Sequence, residues 1–373
     1  MIQTVHGVVT AIIREREDIQ EIEVDILEKK EKAINYPVFT GKVGVGQRVT
    51  LNTTAVRLGL GTGGYHFVMH ADGRTEDRAI RGDRHIMKLR YTPFQIATGS
   101  CEEQNSPFHI EFHRHRSLEG MTVLVGELHS MLPIAVTYIK QINPALQIAY
   151  IMTDKASLPM SFSRHVQHLK EKEWLAGTVT VGHSFGGDFE AVNIYTGLLA
   201  AKHIIKADLA IVIMGPGIVG TGTPLGFTGM EQVELLHAAA SLHGNPILIP
   251  RLSGADTRSR HQDISHHTFT VLEHTLVPVT IPVLEEVARK ATVPSSFHRW
   301  VPGKKEWLGN LEDILSRYPE SITTMGRSFR EDPLFYESVA IAADYAHFMA
   351  CGKADGLFDS AALGALWKDS TTP

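Results

Sequence analysis

Thr178-Val179-Thr180-Val181-Gly182-His183-Ser184-Phe185-Gly186-Gly187 joins a β-branched run to Gly-x-Ser-x-Gly, and a helix-like segment comes next. A short β-branched run packs well as a buried strand. A serine between two such glycines, on a turn from strand to helix, has the pattern of a nucleophile elbow with its hydroxyl exposed. The small residues at 182 and 186 let the chain fold tightly on either side of Ser184. Outward from this stretch, apolar runs alternate with helical patterns. Val123–Gly126, Leu146–Met152, Leu209–Met214, Pro246–Ile249 and Val277–Val283 read as strands. Leu132–Ile142, Arg164–Leu175, Asp188–Ile205, Met230–Leu242 and Asp263–Leu276 read as helices. Near-continuous apolar strands separated by helices of this length predict a parallel sheet covered on both faces, an α/β fold of Rossmann-like or hydrolase-like form.

The first residues read differently. Gly7–Ile13, Ile19–Ile26 and Ala33–Thr40 are short strand-like runs, and 41–51 reads as a glycine-turned hairpin. So many short strands predict a small barrel or sandwich. Asp72–Arg84 reads as an exposed loop, Leu334–Met349 as a helix after Asp332-Pro333, and Trp367–Pro373 as a frayed end. The expected organisation is an all-β module over 1–100, an α/β domain over 101–300 and a helical extension over 301–373.

Composition excludes several functional classes. A formal net charge of -5 gives no electrostatic case for nucleic acid. Leu209–Met214, the most apolar run, is far too short to cross a bilayer, and no basic amphipathic stretch suggests a membrane surface. The start lacks the basic and apolar regions of a signal peptide, and the chain has two cysteines, so a cytoplasmic protein is expected. The 20 histidines make any lone histidine weak evidence of function.

In an open parallel sheet, ligands bind at the carboxyl ends of the strands. Just beyond the expected strands, in chain order, stand Glu127 and His129, then Asp154, then the Ser184 turn, then the loop Gly215–Pro224, and finally Arg251, Asp256, Arg258 and His261. A serine nucleophile needs a histidine base, an acid to orient it and two oxyanion donors. The Phe185 N–H is expected as one donor, and the 128–130 loop as the source of the other.

Gly215-x-Gly217-x-x-Gly220 matches the glycine pattern of the dinucleotide-binding fingerprint, but Pro224 and Gly226 delay the helix. The expected helix start is Thr228 with Glu231 as its capping-box partner, so a nicotinamide site is not expected. A loop of this kind still exposes several N–H donors to a phosphate or carboxylate. Arg251 and Arg258 are expected to help clamp such an anion. Phe108–His115 alternates as a strand would, setting His109, His113 and His115 on one side, where either zinc ligation or a solvated face explains them. No strong motif demands a cofactor.

Residues 182–192, 214–223 and the earlier Glu127-Leu128-His129-Ser130 are together similar to an uncharacterised bacterial family known only as a domain of unknown function. That resemblance brings no activity. The segment 121–256 separately resembles the α/β-hydrolase core, with Glu127–Ser130 in place of that family's His-Gly oxyanion motif. The hydrolase resemblance implies Ser184 as nucleophile and Asp256 as orienting acid. It leaves His298, the only histidine after the last apparent strand, as base. The leading expectation is therefore a hydrolase-like enzyme acting on a small ester, amide or thioester, with Gly182, Phe185 and Gly186 shaping the turn. The competing one is a non-catalytic protein binding a nucleotide or other anionic metabolite through the 215–223 loop. A third is a scaffold, and a homo-oligomer is compatible with each.

Overall fold

Five strands, β1 (Thr4–Glu15), β2 (Gln20–Ile26), β3 (Lys29–Asn35), β4 (Arg48–Asn52) and β5 (Tyr65–Ala71), close into a barrel in the order β1-β2-β3-β5-β4. Register shifts after Val9 and after Ile12 bend β1, a device that lets one long strand serve both β2 and β4. Val9, Ile22, Val24, Val49, Leu51 and Val68 fill the interior. Of the expected hairpin over 41–51, only Arg48–Asn52 is a strand. Val43 instead donates its N–H to the buried Gln20 side chain at 2.8 Å, so a side-chain amide replaces a strand partner. The third strand stops at Asn35 because Pro37 opens a helical turn, Pro37–Thr40.

The structure, a computed structural model, describes residues 1–73, 84–290 and 297–352. It divides into two compact units, Met1–Asp83 with Leu89–Ile96, and Arg84–Lys88 with Ala97–Pro373. The expected loop at 72–84 lies mostly outside the described residues, and the expected frayed end at 367–373 wholly so.

The second unit is built on eight strands: β6 (Thr122–Val125), β7 (Ile148–Met152), β8 (Gly177–Thr180), β9 (Phe189–Glu190), β10 (Leu209–Val212), β11 (Asn245–Leu248), β12 (Thr280–Leu284) and β13 (Arg299–Gly303). They pair in parallel in the order β9-β8-β7-β10-β6-β11-β12-β13. Along each central strand, successive residues enter different cores. Leu124, Tyr150 and Ile211 pack with helices α2 (Met131–Ile142), α3 (Arg164–Glu171) and α7 (Pro333–Cys351). Val123, Ile151 and Ala210 pack with α4 (Ile194–His203), α5 (Glu231–Ser241) and α6 (His266–His274). This two-faced burial explains why the strands read as continuous apolar runs. The helix expected at 334–349 is α7, buried through most of its length and part of the first core.

Three local expectations are corrected. The helix expected from Asp188 begins only at Ile194, where Asn193 and Thr196 form a capping box. Before it, Phe189–Glu190 adds a parallel edge strand, so the Ser184 turn joins strand to strand. Asp188 does not sit at a helix start, because its carboxylate accepts from the Thr178 N–H at 2.9 Å and the Thr178 hydroxyl at 2.8 Å. Residues His109–Arg114 form a helix, α1, which groups His109 with His113 rather than with His115. No described helix is long and apolar enough to cross a membrane.

Candidate functional site

The carboxyl edge of the sheet holds a group of buried polar residues, among them Glu127, Thr153, Ser184, Arg251 and Asp256. β6 and β10 are neighbours, yet β6 leads to α2 on one face and β10 to α5 on the other. Such a divergence opens a crevice at the strand ends. The loops that leave β6 and β10 start at that position.

The Ser184 turn lies on this edge, but its hydroxyl faces inward. Ser184 is fully buried and donates through Oγ to the Met152 carbonyl at 3.1 Å. The Phe185 N–H, expected for an oxyanion, donates to the Leu158 carbonyl at 2.9 Å. Gly182 and Gly186 carry positive φ angles of 64° and 94°, whereas Ser184 is not among the described non-glycine residues with positive φ. The backbone strain of an elbow is thus absent from the serine itself. Gly182 is needed for another reason. A Cβ there would stand 2.3 Å from the Asp154 carboxylate, which accepts the His183 N–H at 3.0 Å and so fixes the turn.

Sequence reasoning offered no signal for Lys88, which holds the same turn from the other side. Its ammonium is buried and donates to the carbonyls of Thr180 at 3.0 Å and Ser184 at 2.6 Å, and to Glu190 at 2.7 Å.

The other expected triad members do not converge on Ser184. Asp256 pairs with Arg258 Nε at 2.9 Å and Nη2 at 2.8 Å, with Arg327 at 3.6 Å, and the bonds from Arg258 hold its carboxyl well below the usual range. His298 precedes β13 and contacts the Leu272 carbonyl through Nε2 at 2.9 Å, which places it at the amino edge of the sheet. His129 donates through Nδ1 to the Met214 carbonyl at 3.0 Å, and its Nε2 meets the Ser163 hydroxyl at 2.6 Å. Burial, with His165 nearby, pushes its pKa down to about 3, so it is a neutral strap between loops.

A different cluster is assembled instead. Glu127, just beyond β6, is buried and accepts from Arg251 Nη1 at 3.1 Å and from His267 Nδ1 at 2.5 Å. Burial alone would raise its carboxyl, but His267 and Arg251 hold it below the ordinary value. The Phe227 ring stacks on His267 with centroids 3.6 Å apart and planes 5° from parallel. His261 and His266 complete the group, and the three imidazoles offer nitrogens within 4.8 Å of one another. Burial pushes His261 down to about 4, with Arg251 the next cause. Arg251 and Arg258 are both engaged in internal ion pairs.

The glycine-rich loop lies between β10 and α5. Thr228 does not cap the helix. Its hydroxyl accepts the Val219 N–H at 3.1 Å, and α5 has no side-chain cap. Thr221 and Thr223 staple the loop through Gly226. Gly215 sits under it, where a Cβ would meet the Ser157 carbonyl at 2.7 Å. Gly217 and Gly222 have positive φ angles of 110° and 77° and open space around their Cβ positions. Among the described residues, the N–H groups of Gly217, Ile218, Gly220 and Gly222 have no protein acceptor. Beside the loop, Glu231 turns to the Thr153 hydroxyl at 2.7 Å, and burial pushes its carboxyl up to about 7.

No curated protein and no solved structure matches the chain. A family model described as "Protein of unknown function (DUF3866)" matches residues 32–343, spanning most of both units, and the chain belongs to that family.

Proposed function

We propose that this protein binds a small anionic metabolite, of nucleotide or similar phosphorylated or carboxylated type, through the 215–223 loop at the carboxyl edge of its sheet. The observation that carries this reading is the set of unpaired N–H groups at Gly217, Ile218, Gly220 and Gly222, on an exposed loop stapled from within. The consecutive Gly217 and Ile218 amides are joined by those of Gly220 and Gly222, and free backbone amides on a loop with glycine-permitted angles at Gly217 and Gly222 can bind an anion. The loop borders the crevice between β6 and β10, the position where open parallel sheets take their ligands. Arg251 and Arg258 contribute by neutralising Glu127 and Asp256, not by clamping the anion, since each already has a carboxylate partner.

The serine-hydrolase reading has less support, because the Ser184 hydroxyl and the Phe185 N–H each have a backbone acceptor. A second reading, an enzyme at the same crevice, is favoured by Glu231. A carboxyl that titrates near neutral pH beside a ligand loop is suited to general acid–base work. A thermal-shift screen of nucleotides, sugar phosphates and carboxylates against the full chain tests the binding proposal. The expected result is a ligand-dependent rise in Tm that is lost in Gly217→Val, where a branched side chain opposes the φ of 110°. A rise that persists in that variant, or no rise with any anion, would overturn it.

A further inference from the structure

His261 ends a short 3-10 turn, Ser259–His261, and His266 and His267 open α6. Folding the chain back between them brings the three rings into one group, with centroids 5.0, 4.8 and 4.4 Å apart for the pairs 261–266, 261–267 and 266–267. No hydrogen bond joins these rings to each other among the described residues; His261 and His267 are instead oriented from outside the group.

The orientation is that of metal ligands. His267 Nδ1 lies 2.5 Å from the Glu127 carboxylate, with Arg251 Nη1 a further contact at 3.3 Å, and with its proton directed to Glu127 the Nε2 is the nitrogen left as an acceptor toward the other two rings. A carboxylate on the far nitrogen is the usual outer partner of a metal-bound imidazole, fixing its tautomer and ring plane. Phe227 fixes the same plane by stacking. His261 spends Nδ1 on the Ser265 hydroxyl at 2.7 Å, again leaving Nε2. His266 Nε2 is a buried atom with no hydrogen-bond partner. A buried ring nitrogen left without a partner is uncommon and calls for an explanation. A single bound cation would give all three rings a common partner.

We propose that His261, His266 and His267 form a binding site for one divalent transition-metal ion of the zinc class. Three imidazoles with an open fourth position suit tetrahedral zinc, with Zn–N distances of about 2.0–2.1 Å and therefore N···N distances of about 3.3 Å. The nitrogens already lie within 4.8 Å of one another, so small side-chain rotations close the site. Imidazole ligands without thiolate or carboxylate in direct contact favour zinc, nickel or cobalt over calcium or magnesium. Arg251, Arg258 and Arg260 disfavour positive charge on these imidazoles, and the Glu127 and Asp256 carboxylates offset them in part. This inference does not depend on the anion-loop proposal, since none of its residues belongs to that loop.

Chelator-stripped full-length protein titrated with Zn2+ in a calorimeter, with bound metal counted by mass spectrometry, tests the site. One equivalent is expected. His266→Ala, a half-buried position that leaves the fold intact, should weaken binding at least tenfold, and His261→Ala with His266→Ala should abolish that equivalent. Glu127→Gln should weaken it by about 10–100-fold as an outer partner. Co2+ in place of zinc should give the intense visible bands of tetrahedral coordination in the wild type and lose them in the double variant. A second grouping, His115, Glu119 and His203, supplies the control. Metal uptake that survives the double variant and disappears in His203→Ala would overturn the assignment, and so would absence of uptake by well-folded wild-type protein.

Discussion

The hydroxyl of Ser184 donates to the carbonyl of Met152, a residue 32 positions earlier at the end of the neighbouring strand. That single bond turns the side chain of a Gly-x-Ser-x-Gly motif from solvent into the sheet. Ser184→Ala should therefore cost only about 0.5–1.5 kcal/mol, the worth of one internal hydrogen bond. A fluorophosphonate probe should label neither wild type nor variant. Labelling of the wild type alone would show that the serine turns outward and is activated.

Lys88 is the larger determinant of the same turn. Its replacement by methionine removes three bonds and leaves the Glu190 carboxylate without its ammonium partner. Loss of one member of a buried ion pair costs about 3–5 kcal/mol. Chemical denaturation should show a fall of that order. The double variant Lys88→Met with Glu190→Gln should recover part of it.

Gly182 and Asp154 should be coupled. A methyl at 182 stands 2.3 Å from the Asp154 carboxylate and must also adopt a φ of 64°. Gly182→Ala should destabilise the fold by a few kcal/mol, since the left-handed angle alone costs about 1–2 kcal/mol. In an Asp154→Ala background only that conformational part should remain. Equal effects of Gly182→Ala in both backgrounds would refute the clash.

Glu231 should impose a pH dependence. Its carboxyl titrates near 7 in the fold and near the ordinary 4.5 when unfolded, so the folded state prefers the protonated form. The fold therefore loses stability as pH rises from about 4.5 to 7, and the loss is complete above 7. A shift of this size corresponds to a few kcal/mol, at about 1.4 kcal/mol per pH unit. Glu231→Gln, which keeps the hydrogen bond but cannot ionise, should flatten that part of the stability–pH curve. An unchanged curve would place the ionisation elsewhere.

The central strands were legible because each is buried on both faces and so reads as a continuous apolar run. Phe189–Glu190 and Arg299–Gly303 have no such run, and both lie at the sheet's borders. The His109–Arg114 helix was hidden because Phe108, Ile110 and Phe112 alternate with polar residues as a strand would. At the site, reading the residues after each strand placed Glu127, Arg251 and His261 in one neighbourhood. It could not pair Glu127 with His267, 140 positions apart, because that contact is made by the fold and not by local pattern. The adjacent histidines at 266 and 267, just beyond the β11 loop, were the signal that could have drawn them in. The helix expected directly after the Ser184 turn was misplaced for the converse reason. The motif is local, while its meaning depends on whether a helix or a strand comes next.

The borders of the eight-stranded sheet have a consequence for self-association. One border is a strand of two residues, Phe189–Glu190, beyond which Ser100 forms a single bridge and Cys101 donates its N–H to the Glu190 carbonyl at 2.9 Å. The other, Arg299–Gly303, includes Pro302, which has no N–H to offer a further strand. Very short or proline-bearing edges are poor templates for intermolecular pairing. A second copy of this chain thus finds little at either border on which to extend a ladder, and the apolar strands between them, of four or five residues each, are kept from seeding fibrous aggregates.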